Sequence, residues 1–121
     1  MRNTRYDLVM ASLSQSEAEL FQALASPVRV RMLELLRASG SMTVSEMQQR
    51  LGIEAANASQ HLRVLRDRGL VQRRRDGTSI WYSIVDPALH TLLDDARAIA
   101  ERHDAAPRTI EASNARDSHR T

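Results

Sequence analysis

The sequence predicts a mainly α-helical fold carrying one small β-hairpin, in the order α-α-α-α-β-β-α. Three observations lead there. Apolar residues recur at three- and four-residue spacing in five stretches, punctuated by capping residues and glycines. Between Leu70 and Ile84 that spacing gives way to runs of strand-forming residues. Aromatic residues make up 3% of the chain, so the core is built mainly from Leu, Val, Ile, Ala and Met, which suits packed helices.

Each element has its own signal. From Tyr6 to Ala25 the apolar residues are Leu8, Val9, Leu13, Leu20, Phe21 and Leu24, with Ser14 or Ser16 placed to cap a helix start, so one broken helix or two short ones are expected. Ser26-Pro27 then opens a second helix, about residues 27–38, with Val28, Met32, Leu35 and Leu36 on its apolar side and Gly40 as its stop. Thr43 and Glu46 form a capping-box pattern ahead of a short third helix carrying Val44, Met47 and Leu51, which Gly52 ends. Ala58, Leu62 and Leu65 mark the buried face of a fourth helix that closes at Gly69. Two strands, Val71 to Arg75 and Thr78 to Ile84, meet at Asp76-Gly77, a dipeptide favoured in tight hairpin turns. Asp86-Pro87 starts a last helix, with Leu89, Leu92, Leu93, Ala96, Ile99 and Ala100 as a stripe running to about His103.

At 121 residues the chain has the length of one domain. Residues 1–104 are expected to form it, and residues 105–121, with a single large aliphatic side chain and no periodicity, a disordered tail. No apolar stretch reaches the roughly 18 to 20 residues that span a bilayer, and "MRNTRYDLVMASLSQSEAEL" lacks the continuous apolar segment of a signal peptide, so a cytoplasmic protein without a membrane partner is expected. The absence of cysteine excludes disulfides, thiolate nucleophiles and thiolate metal sites. No Ser/His/Asp arrangement, glycine-rich phosphate loop or paired carboxylate in an apolar setting stands out, so an enzyme is not expected.

Net charge is only +2, but it is unevenly spread. Residues 54–85 carry six Arg against three acids, whereas residues 86–121 carry five Arg against seven acids. Positive charge therefore gathers on the fourth helix and the hairpin, as a nucleic-acid contact requires. Two short helices joined by a tight link and followed by a basic hairpin also make up the order of a DNA-reading helix-turn-helix. There the second helix lies in the major groove and needs small or amide side chains in its first turns. Ser59 and Gln60 are the main base-reading candidates, with Asn57 and Arg63 close behind on bases or phosphates. The first turn, Glu54, Ala55 and Ala56, offers few hydrogen bonds, although alanine can contact a thymine methyl group. Arg73, Arg74 and Arg75, with Thr78 beside them at the hairpin tip, suit the phosphate backbone.

Four blocks, "LFQALASPVRVRMLELL", "VSEMQQRLGI", "SQHLRVLRDRGLV" and "RRRDGTSIWYSI", resemble successive blocks of the ArsR (SmtB-like) family of bacterial winged helix-turn-helix repressors. They cover about residues 20–85, and the next helix extends the match to about residue 100. The resemblance implies a winged helix-turn-helix fold and a homodimer formed through the first and last helices. It also implies an inverted-repeat, double-stranded DNA operator, and an effector that releases it: often a metal ion, otherwise a small molecule or a protein co-regulator.

The chain departs from the family's metal-sensing patterns. Thiolate-sensing relatives have two cysteines just before the residue matching Glu46; Thr43 and Ser45 stand there instead. Relatives that sense zinc, cobalt or nickel through the last helix pair an acid with a histidine two residues on. Here Asp86 is followed by Ala88, and Ile99 and Arg102 stand near the later ligand positions. No metal or other cofactor is therefore expected. His90 and Asp94 at i, i+4 spacing, with His103 further on, are the remaining candidates for an unusual nickel or zinc site; as a solvated polar line they also pair with Arg97 and Glu101. His61 is expected to be a packed or hydrogen-bonded helix residue, and one of Trp81 and Tyr82 to pack under the hairpin. The leading reading is a DNA-binding transcriptional repressor. Beside it stand a nickel- or zinc-responsive repressor and, from another class, a winged-helix module that binds a protein.

Overall fold

The computed structural model describes residues 3–105. They divide into two compact units, one ending at Pro87 and one beginning at Ala88. The tail expected over 105–121 lies, except for Ala105, outside the described residues.

In the first unit, α1 (Thr4–Leu24) is one unbroken helix of 21 residues. The expectation of a break is thereby corrected. Asn3 caps it, its side chain accepting from the Tyr6 amide at 3.1 Å, and neither Ser14 nor Ser16 starts a helix. The physical reason lies in the residues between: no glycine or proline interrupts residues 4–24, and Ala, Leu, Met, Glu and Gln dominate. Serine caps a helix only where something else has already stopped the preceding one.

Ser26 caps α2 (Pro27–Ser39), accepting from the Arg29 amide, with Pro27 in the first turn as the sequence predicts. A two-residue strand β1 (Met42–Thr43) comes next, an element missing from the expected order. Two residues are too few to display a period, and β1 is a strand only because β3 pairs with it. Then α3 (Val44–Leu51) begins on a complete capping box: the Glu46 amide donates to Thr43 Oγ1, and the Thr43 amide donates to Glu46 Oε1 at 2.9 Å. Gly52, left-handed at φ 68°, ends α3 and turns the chain into α4 (Ala55–Asp67).

The hairpin consists of β2 (Val71–Asp76) and β3 (Ser79–Ile84) in a three-stranded antiparallel sheet of order β1-β3-β2. Asp76 pairs with Ser79, so the two-residue turn is Gly77-Thr78, one position later than expected. Gly77 is at φ 65°, and no non-glycine among the described residues has a positive φ. Glycine at the first central position is the type II′ pattern, which matches strand twist. Thr78 thus belongs to the turn rather than the strand.

The core of this unit joins all its elements: Ala23 of α1, Met32, Leu33 and Leu36 of α2, Met47 of α3, Ala58, Leu62 and Leu65 of α4, and Met42, Val71 and Tyr82 of the sheet are buried. Burying a Leu or Met side chain contributes about 1.5 to 3 kcal/mol, so α4 is held by its three inward residues and its outer face is left unconstrained. Tyr82 is the aromatic packed under the hairpin, while Trp81 stays half-buried on the other face. In the second unit the described residues form α5 (Ala88–Ala105).

Candidate nucleic-acid interface

Turning Ala58, Leu62 and Leu65 inward turns Ser59, Gln60 and Arg63 outward. These three line a shallow groove of about 440 Å³ on the outer face of α4, together with Ala56, Val64 and Asp67. Asn57 is exposed but is not among the residues lining it; it lies one turn before His61 on the helix flank. Val64 and Asp67 are the members that sequence reasoning did not single out. Helical spacing carries the signal for both, since 60 and 64 stand four apart, as do 63 and 67. Asp67 also meets Arg63, Nε to Oδ2 at 3.9 Å, with both side chains well exposed, an ion pair worth little in water. Glu54 precedes α4 without a side-chain cap, so the first-turn amides are left to solvent or to an anion.

Strand register sorts the hairpin arginines. Arg73 lies opposite Tyr82 and Arg75 opposite Ile80, on the sheet face that carries buried Val71. Arg74 lies opposite Trp81, on the other face, across from Thr43 of β1. All three are exposed, as is Thr78 at the turn. The arginine triplet therefore presents cations on both faces of the hairpin, a distinction that a run of identical letters conceals.

Two polar ties from α1 and α2 fix α4. His61 receives a hydrogen bond at Nδ1 from Arg29 Nη1 at 3.1 Å, as expected for a bonded helix histidine rather than a ligand. Burial pushes the His61 imidazole below its usual pKa, and the Arg29 charge pushes it the same way. The neutral ring accepts at Nδ1 and carries its proton on Nε2. Just past α4, Arg68 pairs with Glu19 of α1. Glu19 is held below the usual carboxylate range, first by the Gln15 amide and then by Arg68.

The family's metal positions do not fit a metal here. Thr43 Oγ1 is committed to capping α3, Ser45 is a surface hydroxyl, and neither supplies a thiolate. His90 and Asp94 lie one turn apart on α5, whereas His103 stands thirteen residues beyond His90, about 20 Å along a helix. Among the described residues no group of three or more potential ligand side chains comes together. No helix among them is long and apolar enough to cross a membrane.

Residues 24–74 match the helix-turn-helix domain family. The chain is 43% identical over 94 residues to the HTH-type transcriptional regulator Rv0081 of Mycobacterium tuberculosis, covering 74% of this chain and 79% of that one. The crystal structure of Rv0081 superposes with a TM-score of 0.68, covering 74% of this chain and 90% of its own. A homodimeric winged helix-turn-helix DNA-binding domain from Mycobacterium bovis, described as a possible ArsR-family regulator, is 32% identical with a TM-score of 0.71, over 78% of this chain and 86% of that one. The probable mercury resistance operon repressor of Streptomyces lividans is 38% identical over 89 residues, covering 74% of this chain and 70% of that one. With its helix-turn-helix, its basic hairpin and these relatives, the chain belongs to the ArsR (SmtB-like) family of winged helix-turn-helix, DNA-binding transcriptional regulators.

Proposed function

We propose that the chain acts as a cytoplasmic homodimeric repressor. In it, α4 of each protomer reads one half of an inverted-repeat operator, and the hairpin arginines hold the phosphate backbone. The observation that carries this reading is the pairing of two exposed surfaces on one buried frame: the α4 groove of Ser59, Gln60 and Arg63, and the cationic hairpin of Arg73, Arg74 and Arg75. Amide and hydroxyl groups on α4 suit base edges, and the arginines suit phosphates. A two-fold dimer places two such helices against two half-sites about one turn of DNA apart. The homodimeric Mycobacterium bovis domain and the Streptomyces lividans repressor support the dimer and the direction of control. No metal effector enters this reading, because the thiolate positions are hydroxyls and His90 with Asp94 makes only two donors.

Selection of duplexes from a random-sequence pool tests the proposal. Recovery of an inverted repeat, bound with an affinity that falls by orders of magnitude over a few-fold rise in salt, is expected, because each neutralised phosphate contributes about 0.9 to the slope of log affinity against log salt. A pool that yields no enriched sequence while the protein captures a peptide partner would favour the protein-binding module instead.

A further inference from the structure

Arg29 joins three helices of the first unit. It stands in the first turn of α2, and its guanidinium is divided among three partners. Nε donates to the Ala23 carbonyl at 2.6 Å, Nη2 to the Gln22 carbonyl at 3.2 Å, and Nη1 to His61 Nδ1 at 3.1 Å. The first two are carbonyls at the end of α1, which has no basic residue in its last turn, so Arg29 supplies the cation that this helix end lacks. The third partner follows Gln60 directly on α4. A change in the rotation of α4 at His61 therefore carries the reading face with it.

We propose that Arg29 is a positioning residue for DNA reading: through His61 it fixes the rotation of α4, and protonation of His61 releases that hold. The inference rests on α4 being the DNA-reading helix. Neutral His61 offers a lone pair at Nδ1. A proton taken from solvent adds to that lone pair, leaving N–H groups on both ring nitrogens, and a cationic ring then faces a cationic guanidinium. The hydrogen bond is replaced by like-charge repulsion. Of the acids that share a cavity with Arg29, Glu19 of α1 is engaged by Arg68 and Gln15, and Asp67 of α4 meets Arg63. The charge that bears on the ring is that of Arg29.

The test uses the full chain, a duplex it selects from a random pool at about pH 7.5, and a scrambled duplex as control for the general attraction of a more cationic protein to DNA at low pH. The ratio of selected to scrambled affinity is expected to fall about fivefold or more in the wild type between about pH 7.5 and a pH about one unit below the His61 midpoint read by nuclear magnetic resonance, the range of ordinary allosteric coupling. In His61→Asn, whose amide oxygen accepts from Arg29 without titrating, the ratio is expected to change less than about twofold. Equal pH profiles in the two proteins overturn the proposal and leave DNA reading by α4 intact, whereas failure to select any duplex removes both. If His61→Asn loses its helical circular dichroism, nuclear magnetic resonance of the wild type decides. The His61 ring and the α4 backbone amides must then shift with one common midpoint, and α4 amides that stay still while the ring titrates contradict the hold.

Discussion

Thr43 carries three roles in one side chain and backbone. Its hydroxyl caps α3, its amide donates to Glu46 Oε1, and its backbone pairs with Trp81 in β1. Replacing it with alanine removes the hydroxyl and leaves an orphan amide at the start of the helix that supports α4. Thr43→Ala is expected to lower stability by about 1 kcal/mol, as loss of an N-cap does, and urea unfolding followed by circular dichroism reads it. An unchanged midpoint would mean that solvent replaces the cap at no cost. The capping box was legible in the sequence because both partners lie within three residues. The Arg29–His61 bond was not, because 32 residues separate the two and neither residue type announces the other. The same holds for Arg68 and Glu19, which stand 49 residues apart in sequence and meet across a cavity lined by both α1 and α4.

Among the elements, α1 shows how local sequence can mislead in one respect and inform in another. Serines at 14 and 16 suggest a break, yet nothing between Thr4 and Leu24 ends a helix. Its apolar residues are nevertheless readable, because they remain unsatisfied in the protomer: Tyr6, Leu8, Val9, Met10 and Leu13 are all exposed, Leu8 at 66% and Leu13 at 51%. A run of exposed aliphatic and aromatic side chains on one helix is costly in water, and covering it with a second copy stabilises both. Leu13→Glu is thus expected to leave the protomer folded, since this side chain supports no core, while converting a dimer into monomers. Sedimentation at micromolar concentration checks this, and a variant that stays dimeric would place the interface elsewhere. The sheet presents the opposite case. The hairpin was readable from its turn glycine and β-branched run, but β1 and the one-residue shift of the turn depend on pairing with β3, which no short window contains.

For the molecule as a whole, the proposed function gives sequence reading to one surface and charge to another, and a single core built mainly of Leu, Met and Ala side chains lies beneath both. That core was legible from periodicity, and so was the order of the helices around it. How the exposed residues share the work was only partly so. Gln60 and Arg63 follow from the helix face, and the same spacing reaches Asp67, whereas the division of Arg73 and Arg75 from Arg74 emerges from the fold. The most direct test compares Gln60→Ala with Arg74→Ala against a selected and a scrambled duplex across a range of salt. Gln60→Ala is expected to lose about 1 to 3 kcal/mol of discrimination between the two duplexes with the salt slope nearly unchanged, as when a bidentate base contact is removed. Arg74→Ala is expected to weaken both duplexes together and to lower the slope by about one, as when a phosphate contact is removed. If Arg74→Ala alters base preference while the slope stays intact, or if neither change affects binding, the division of labour between α4 and the hairpin is contradicted.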